Sequence, residues 1–379
     1  MKTENPSRKA VRTTVLLLVS VAVWVLATTQ VGGAVVTFTT NTFIAATDLT
    51  YDGQDITVKA CTVTTDGPHA FNSVLLTNTA TLSIAGGTTL SVADYLRLAT
   101  TSTVICQGAN TSGQVLNHWA GVGVTIVASN VTVEAGSAIS ADGQGYTLNG
   151  PGSPGLGPGG GGVTGSHGGH GSNDTGPTYG DAMHPTDLGS SGSVGGFGGS
   201  SSGGGAIALQ VTNSLVLDGS ITANGQSVVN GAGAAGGSVY ITTGSLSGSG
   251  TITANGNHGF TSDGGGGRIA VYFANASGYT GFTNCTANGA ENGTVGFFDT
   301  SVPNTQLSVY QNFRFAPDSV LHFGGCTVDN AATVVLGGGS ALRVDGALRV
   351  RNRSTLLLQG KNVSGQINGQ WAGAGVTIV

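Results

Sequence analysis

The chain has 379 residues, 67 of them glycine, far above the roughly 7% share glycine holds in ordinary proteins. Charged residues are 8% and aromatics 6%, and 13 Lys+Arg stand against 18 Asp+Glu for a formal net charge of −5. No strict Gly-X-Y period exists, which excludes collagen; Lys and Glu are too few for amphipathic helices; and 39% hydrophobic residues exclude plain disorder. What remains is an all-β chain whose turns are made of Gly, Asn, Ser and Thr.

Residues 1–34 read as a secretory signal. Lys2, Arg8, Lys9 and Arg12 form a basic n-region, Val15 to Ala27 is an apolar stretch broken only by Ser20, and Gly32-Gly33-Ala34 offers a cleavage site, with Ala27 as a second choice. The apolar stretch falls short of the roughly 20 residues a spanning helix needs, and no later segment could span a bilayer. Without this segment nine basic groups face 17 acidic ones, net −8, which argues against a nucleic-acid partner. Arg343, Arg349, Arg351, Arg353 and Lys361 gather late in the chain, interleaved with apolar residues, and read as a solvated face.

Two repeats organise the rest. Residues 81–127 align without a gap to 333–379, with 23 identities in 47 positions. The match peaks where Trp119 to Val127 meets Trp371 to Val379. The first copy runs on into Ala128 to Val133, so the chain reads as truncated at the start of a second cassette. Its open strand edge is expected to self-associate. The short repeat is Ile139-Ser140-Ala141-Asp142-Gly143, recurring as Ile221-Thr222-Ala223-Asn224-Gly225, Ile252-Thr253-Ala254-Asn255-Gly256 and Cys285-Thr286-Ala287-Asn288-Gly289. Each copy follows period-two segments such as Val239-Tyr240-Ile241 and Ile269-Ala270-Val271-Tyr272-Phe273.

A unit of about 20–33 residues with short strands and an Asn or Gly turn is a solenoid coil, which buries its apolar face only by stacking on its neighbours. The expectation is therefore a right-handed parallel β-helix (solenoid) with long glycine-rich loop insertions. It would hold roughly 10–14 coils about 4.8 Å apart, spanning about 50–65 Å. Ile221, Ile252 and Cys285 should stack in its core. Asn224, Asn255 and Asn288 should form a ladder at one corner, each side chain bonding to the next. Independent Asn-Gly hairpins in an antiparallel sandwich are the alternative, and the fixed string favours stacking. Residues 35–146 hold the first coils and 206–379 the continuing ones. Between them, 147–205 is low-complexity sequence with too few apolar groups to offset the entropy of ordering. It is expected to leave the stack as one long excursion.

The Ile-Thr-Ala-Asn-Gly strings, Gly236-Gly237-Ser238-Val239-Tyr240-Ile241, Gly264 to Tyr272 and Asp66 to Leu75 together resemble the glycine-rich β-helical exoproteins of bacteria, broadly similar to filamentous-haemagglutinin and autotransporter-type adhesins. The resemblance covers most of residues 50–379. It implies the right-handed β-helix and a secreted or surface-displayed role, and it transfers no catalytic residue. The expected function is accordingly that of a non-enzymatic adhesin or extracellular matrix component, requiring no cofactor. An extracellular glycan or surface protein is the expected partner. A polysaccharide-processing lyase or hydrolase on the same fold is the alternative.

Candidate chemistry is sparse. Cys61, Cys106, Cys285 and Cys326 allow three disulfide pairings. Cys106 aligns with Leu358, and Cys285 takes an Ile place, so buried thiols are the first reading and disulfides the second. His167 and His170, in Ser166-His167-Gly168-Gly169-His170-Gly171, with His184 nearby, are candidate metal ligands, against the reading of a plain polar loop. Gly169-His170-Gly171 also resembles the Gly-His-Gly of polygalacturonases. Here, however, Asn173-Asp174-Thr175 is scrambled and follows it, no Asp-Asp exists, and Arg268-Ile269 continues into Ala270. Asp48, Asp52 and Asp55 are the one tight acidic group and fit a cap or turn role. Gly199-Ser200-Ser201-Ser202-Gly203 lacks the flanking strand and helix of a nucleophile elbow. Trp119 and Trp371 suit either a sugar-stacking platform or an indole covering a coil.

Overall fold

The structure is a computed structural model. It describes residues 33–149, 154–172, 176–194, 200–228, 231–259, 262–362, 364–368 and 370–379. Residues 1–32, which hold most of the expected signal segment, and Asn173-Asp174-Thr175 lie outside the described residues. The chain is all-β, and its described helical content is two single 3-10 turns, Leu49–Tyr51 and Phe282–Asn284. Among the described residues all strand pairings but three are parallel.

One sheet collects, in order, Val35–Phe38, Asp55–Lys59, Ser73–Thr77, Thr89–Leu98, Val124–Val133, Ala206–Leu217, Ser238–Gly248, Arg268–Tyr279 and Thr294–Asp299. A second collects Thr42–Ile44, Thr62–Thr65, Thr81–Ile84, Thr103–Cys106, Ala138–Ser140, Ser220–Thr222 and Thr251–Thr253. Period-two alternation sends one residue in two inward, and the parallel register places like residues over like. Leu90, Ile126, Leu209, Ile241, Val271 and Phe297 form one buried column. Val63, Leu82, Val104, Ile139, Ile221 and Ile252 form another. Each such side chain contributes about 1.5–3 kcal/mol by leaving water, but only because the strands above and below cover it.

Cys285 is buried and follows Ile252 in its column, since Thr286 bridges Thr253. The asparagines also stack, with a different bond from the one expected. Asn224 Oδ1 accepts the backbone N–H of Asn255 at 2.8 Å, and Asn255 Oδ1 accepts that of Asn288 at 2.7 Å. Asp142 Oδ1 does the same for Asn224 at 2.6 Å. The turn leaves the N–H of the next Asn without a strand partner, and the amide oxygen below supplies one.

The glycine-rich region differs from its expectation. Residues 147–205 were expected to leave the stack as a polar excursion, yet Thr164, Ser166, His167, Ser190 and Ser191 are fully buried. Backbone hydrogen bonds tie this region to 231–237 and 263–267. Successive donors point to different segments. Gly203, Gly204 and Gly205 donate to Tyr146, Ala235 and Ala141, while Gly265, Gly266 and Gly267 donate to Gly165, Glu291 and Ala254. Glycine makes the bundle possible. A Cβ on Gly237 would lie 1.9 Å from the Gly205 carbonyl oxygen, so the backbones approach to a distance no side chain allows. Hydrogen bonds between bare backbones hold the bundle together beside the small apolar cluster of Tyr146, Leu188 and Ala206. Within it, 147–149, 200–202 and 226–228 form a small antiparallel sheet.

The block 206–379 holds a reversal. Thr294–Asp299 pairs antiparallel with Gln306–Val309. Beyond it lie parallel strands Gln306–Val309, Gly325–Val328 and Leu348–Val350, beside two three-stranded sheets, one of Asn312–Phe315, Thr333–Leu336 and Thr355–Leu358 and one of Val320–Phe323, Ala341–Val344 and Thr377–Ile378. They enclose a second core around Phe313, Phe315, Phe323 and Leu336, which also covers Ala270 and Phe298 on the far face of the first stack. The long repeat is structural too. The bridges Ala109–Val122 and Val115–His118 recur as Lys361–Ala374 and Ile367–Gln370.

Candidate functional site

The residues singled out in the sequence do not converge. Asp48 caps the turn Leu49–Tyr51 by accepting from Thr50 N–H, Asp52 meets His69 Nδ1 at 3.1 Å, and Asp55 accepts from Asn72 and Ser73, each at 2.7 Å. His167 is buried, its Nδ1–H donating to the Gly236 carbonyl at 2.8 Å, and its Nε2 has no partner. Burial pushes its pKa down to about 3, so the imidazole is neutral. His170 Nδ1 bonds the Gly176 carbonyl at 3.1 Å, and His184 lies 3.7 Å from Asp181 and against the rings of Tyr240 and Tyr272. Among the described residues no three His, Cys, Asp or Glu side chains form a metal-holding group. The four cysteines are free thiols, and burial raises that of Cys106 to about 12 and that of Cys326 to about 11. Trp119 packs edge-on to Tyr146, whereas Trp371 is exposed. Of the late basic cluster, Arg343 and Arg351 pair with Asp345 and Asp329, each at 2.9 Å, and Lys361 pairs with Asp318.

The site that does assemble was not singled out. Segment 178–188 crosses the outer face of the first sheet and is clamped there. Tyr272 Oη donates to the Met183 carbonyl at 3.0 Å and Ser238 Oγ to that of Asp187 at 2.6 Å. Tyr179 Oη donates to the Leu188 carbonyl at 2.6 Å. Between this segment and the second core lies a cavity of about 510 Å³. Tyr179, Asp181, Met183, Arg268, Arg314 and Phe315 line it, with Thr178, Ser319 and Gln359 adding neutral polar groups.

Two guanidinium groups face this space. Arg268 opens the strand Arg268–Tyr279 on the side opposite Ile269, and only 6% of it is exposed. Its Nε donates to the Tyr179 carbonyl at 2.8 Å, and among the described residues no carboxylate comes within ion-pair distance of it. Burial lowers its pKa to about 10, with the Arg314 charge acting in the same direction and Asp187 and Asp181 opposing. The group therefore stays charged at neutral pH, largely desolvated and, among the described residues, without a counter-ion in contact. Arg314 pairs with Glu291, whose other oxygen accepts the His170 N–H at 2.9 Å. Burial also raises the pKa of Asp187. An arrangement of this kind binds anions. Asp181 is the one carboxylate on its wall among the described residues.

No family model, curated protein or solved structure matches the chain. No helix among the described residues is long and apolar enough to cross a membrane.

Proposed function

We propose that the chain is a secreted or surface-displayed right-handed parallel β-helix, a solenoid that acts non-enzymatically as an adhesin or extracellular structural component. The observation that carries this reading is the register: Ile139, Ile221 and Ile252 lie over one another, while Asp142, Asn224, Asn255 and Asn288 close the same corner. A stack of this kind adds length one layer at a time and holds surface groups at a fixed repeat of about 4.8 Å, which suits display. The basic n-region and apolar stretch before residue 34 support export. The test is to express the full chain with its N-terminal segment, fractionate the cells, and measure the purified protein by small-angle scattering. Recovery outside the cell, with an elongated particle, is the expected result. A cytoplasmic, isotropic particle overturns the reading.

The arginine-lined cavity favours a second reading, an enzyme that processes acidic polysaccharides on the same fold. Release of shortened or unsaturated sugars from a polyuronate would select it over the first.

A further inference from the structure

We propose that the cavity beneath segment 178–183 is a binding site for a carboxylate-bearing sugar, a hexuronate unit of an acidic extracellular polysaccharide, with Arg268 as its anchor. The inference deepens the surface-display reading and rests on it for the choice of a glycan. The anion site itself stands on the geometry.

Arg268 carries the argument. It is nine-tenths buried, and its one side-chain bond among the described residues leaves from Nε. The two terminal nitrogens of its fork are thus left for whatever occupies the cavity it lines. Burying a cation without a paired anion is costly, and a carboxylate entering the cavity relieves that cost by accepting two parallel N–H bonds. Arg314 adds a second positive charge on the same wall, held in place by Glu291.

The remaining walls select a sugar among carboxylates. Phe315, Leu321 and Pro317 present apolar surface, of the kind on which the C–H face of a pyranose stacks. Thr178, Ser319 and Gln359 supply neutral donors and acceptors, and Asp181 supplies a strong acceptor, for several hydroxyl groups at once. A peptide C-terminus would use the arginine and leave these groups to water. The volume of about 510 Å³ falls in the range of small-molecule sites, roughly 300–1,000 Å³.

The experiment is calorimetric titration of the full folded chain with tri-galacturonate, galactotriose and the peptide acetyl-Ala-Gly-Gly. Tri-galacturonate is expected to bind at least tenfold more tightly than either, with an affinity that falls as salt rises. Arg268→Gln should abolish the preference. Arg314→Gln, at a half-exposed position, should weaken tri-galacturonate at least threefold without changing the thermal midpoint, which covers the case in which Arg268→Gln does not fold. Equal binding of galactotriose, stronger binding of the peptide, or no heat with tri-galacturonate overturns the assignment. A chain that is extracellular and elongated yet silent to all three ligands refutes this site and leaves the display reading intact. A cytoplasmic, isotropic chain that still prefers tri-galacturonate does the reverse.

Discussion

The side-chain oxygen of Asn255 accepts two hydrogen bonds from the layer above it, one from Asn288 N–H at 2.7 Å and one from Thr286 Oγ1 at 2.9 Å. Its own N–H is held by Asn224 below. One residue thus links three layers through a single corner. One layer further down, Asp142 accepts the Asn224 N–H in the same way, so the corner needs an acceptor rather than an amide. Asn255→Leu should cost about 1–3 kcal/mol by leaving the Asn288 N–H without a partner. Asn255→Asp should cost much less. Urea midpoints of the two variants decide the point, and equal losses would refute the acceptor role.

Ile252 lies in register with Ile221 and above the Ala141–Ile139 corner, fully buried. Ile252→Ala should lose about 2–5 kcal/mol. Ile252→Asp should unfold several layers together, because neighbours share the core. Hydrogen exchange that opens one layer alone would contradict this.

The glycine bundle predicts an uneven response to single methyl groups. Gly237→Ala places a Cβ against the Gly205 carbonyl, whereas Gly113 has nothing within 4 Å of its Cβ position. Gly237→Ala should destabilise by about 1–3 kcal/mol. Gly113→Ala should fall within about 0.5 kcal/mol of the parent. Thermal midpoints of the pair provide the measurement.

His167 should make the fold sensitive to acid. Its folded pKa lies near 3 against 6.5 when exposed, owing first to burial. Between those values the unfolded chain holds the extra proton, so stability is complete above about pH 6.5 and falls as pH drops towards 3. The slope from this one group approaches about 1.4 kcal/mol per pH unit within the window. His167→Asn, which can still donate to the Gly236 carbonyl, should flatten the slope by one proton. Denaturation at pH 7, 5.5 and 4.5 tests this.

The strands were legible because alternation at period two leaves a hydropathy signal, and the Ile-Thr-Ala-Asn-Gly strings marked their shared register. The glycine bundle was not. Its order lies in backbone donors turning through three directions, and a glycine run carries no side-chain pattern to betray that. The stretch Ser166 to Gly171 reads as a plain polar loop with weak candidate ligands, because nothing in the sequence shows that Gly236 packs against His167 and Gly267 against Gly168. The cavity was hidden for another reason. Arg268, Arg314 and Asp181 are far apart in the chain; the clamp on segment 178–188 brings Asp181 to the sheet, and the reversal at residues 300–305 brings Arg314 as the second core folds over Ala270 and Phe298. Pro303 and Asn304 were the available turn signal.

The three-way bonding of the glycine segments has a mechanical consequence. A parallel sheet pulled from one end can unzip layer by layer, each rupture loading the next. A strand whose consecutive amides are anchored in different neighbours cannot peel in this way. Force applied to Gly236 is divided at once between Gly265, reached through its own N–H, and the segments holding Ala235 and Gly237, which are Ser190 and Ala223. The bundle therefore acts as a tie bar along the flank of the stack. It resists shear in several directions with almost no side chains, and it gives the stack a stiff edge where its composition suggests a loose one.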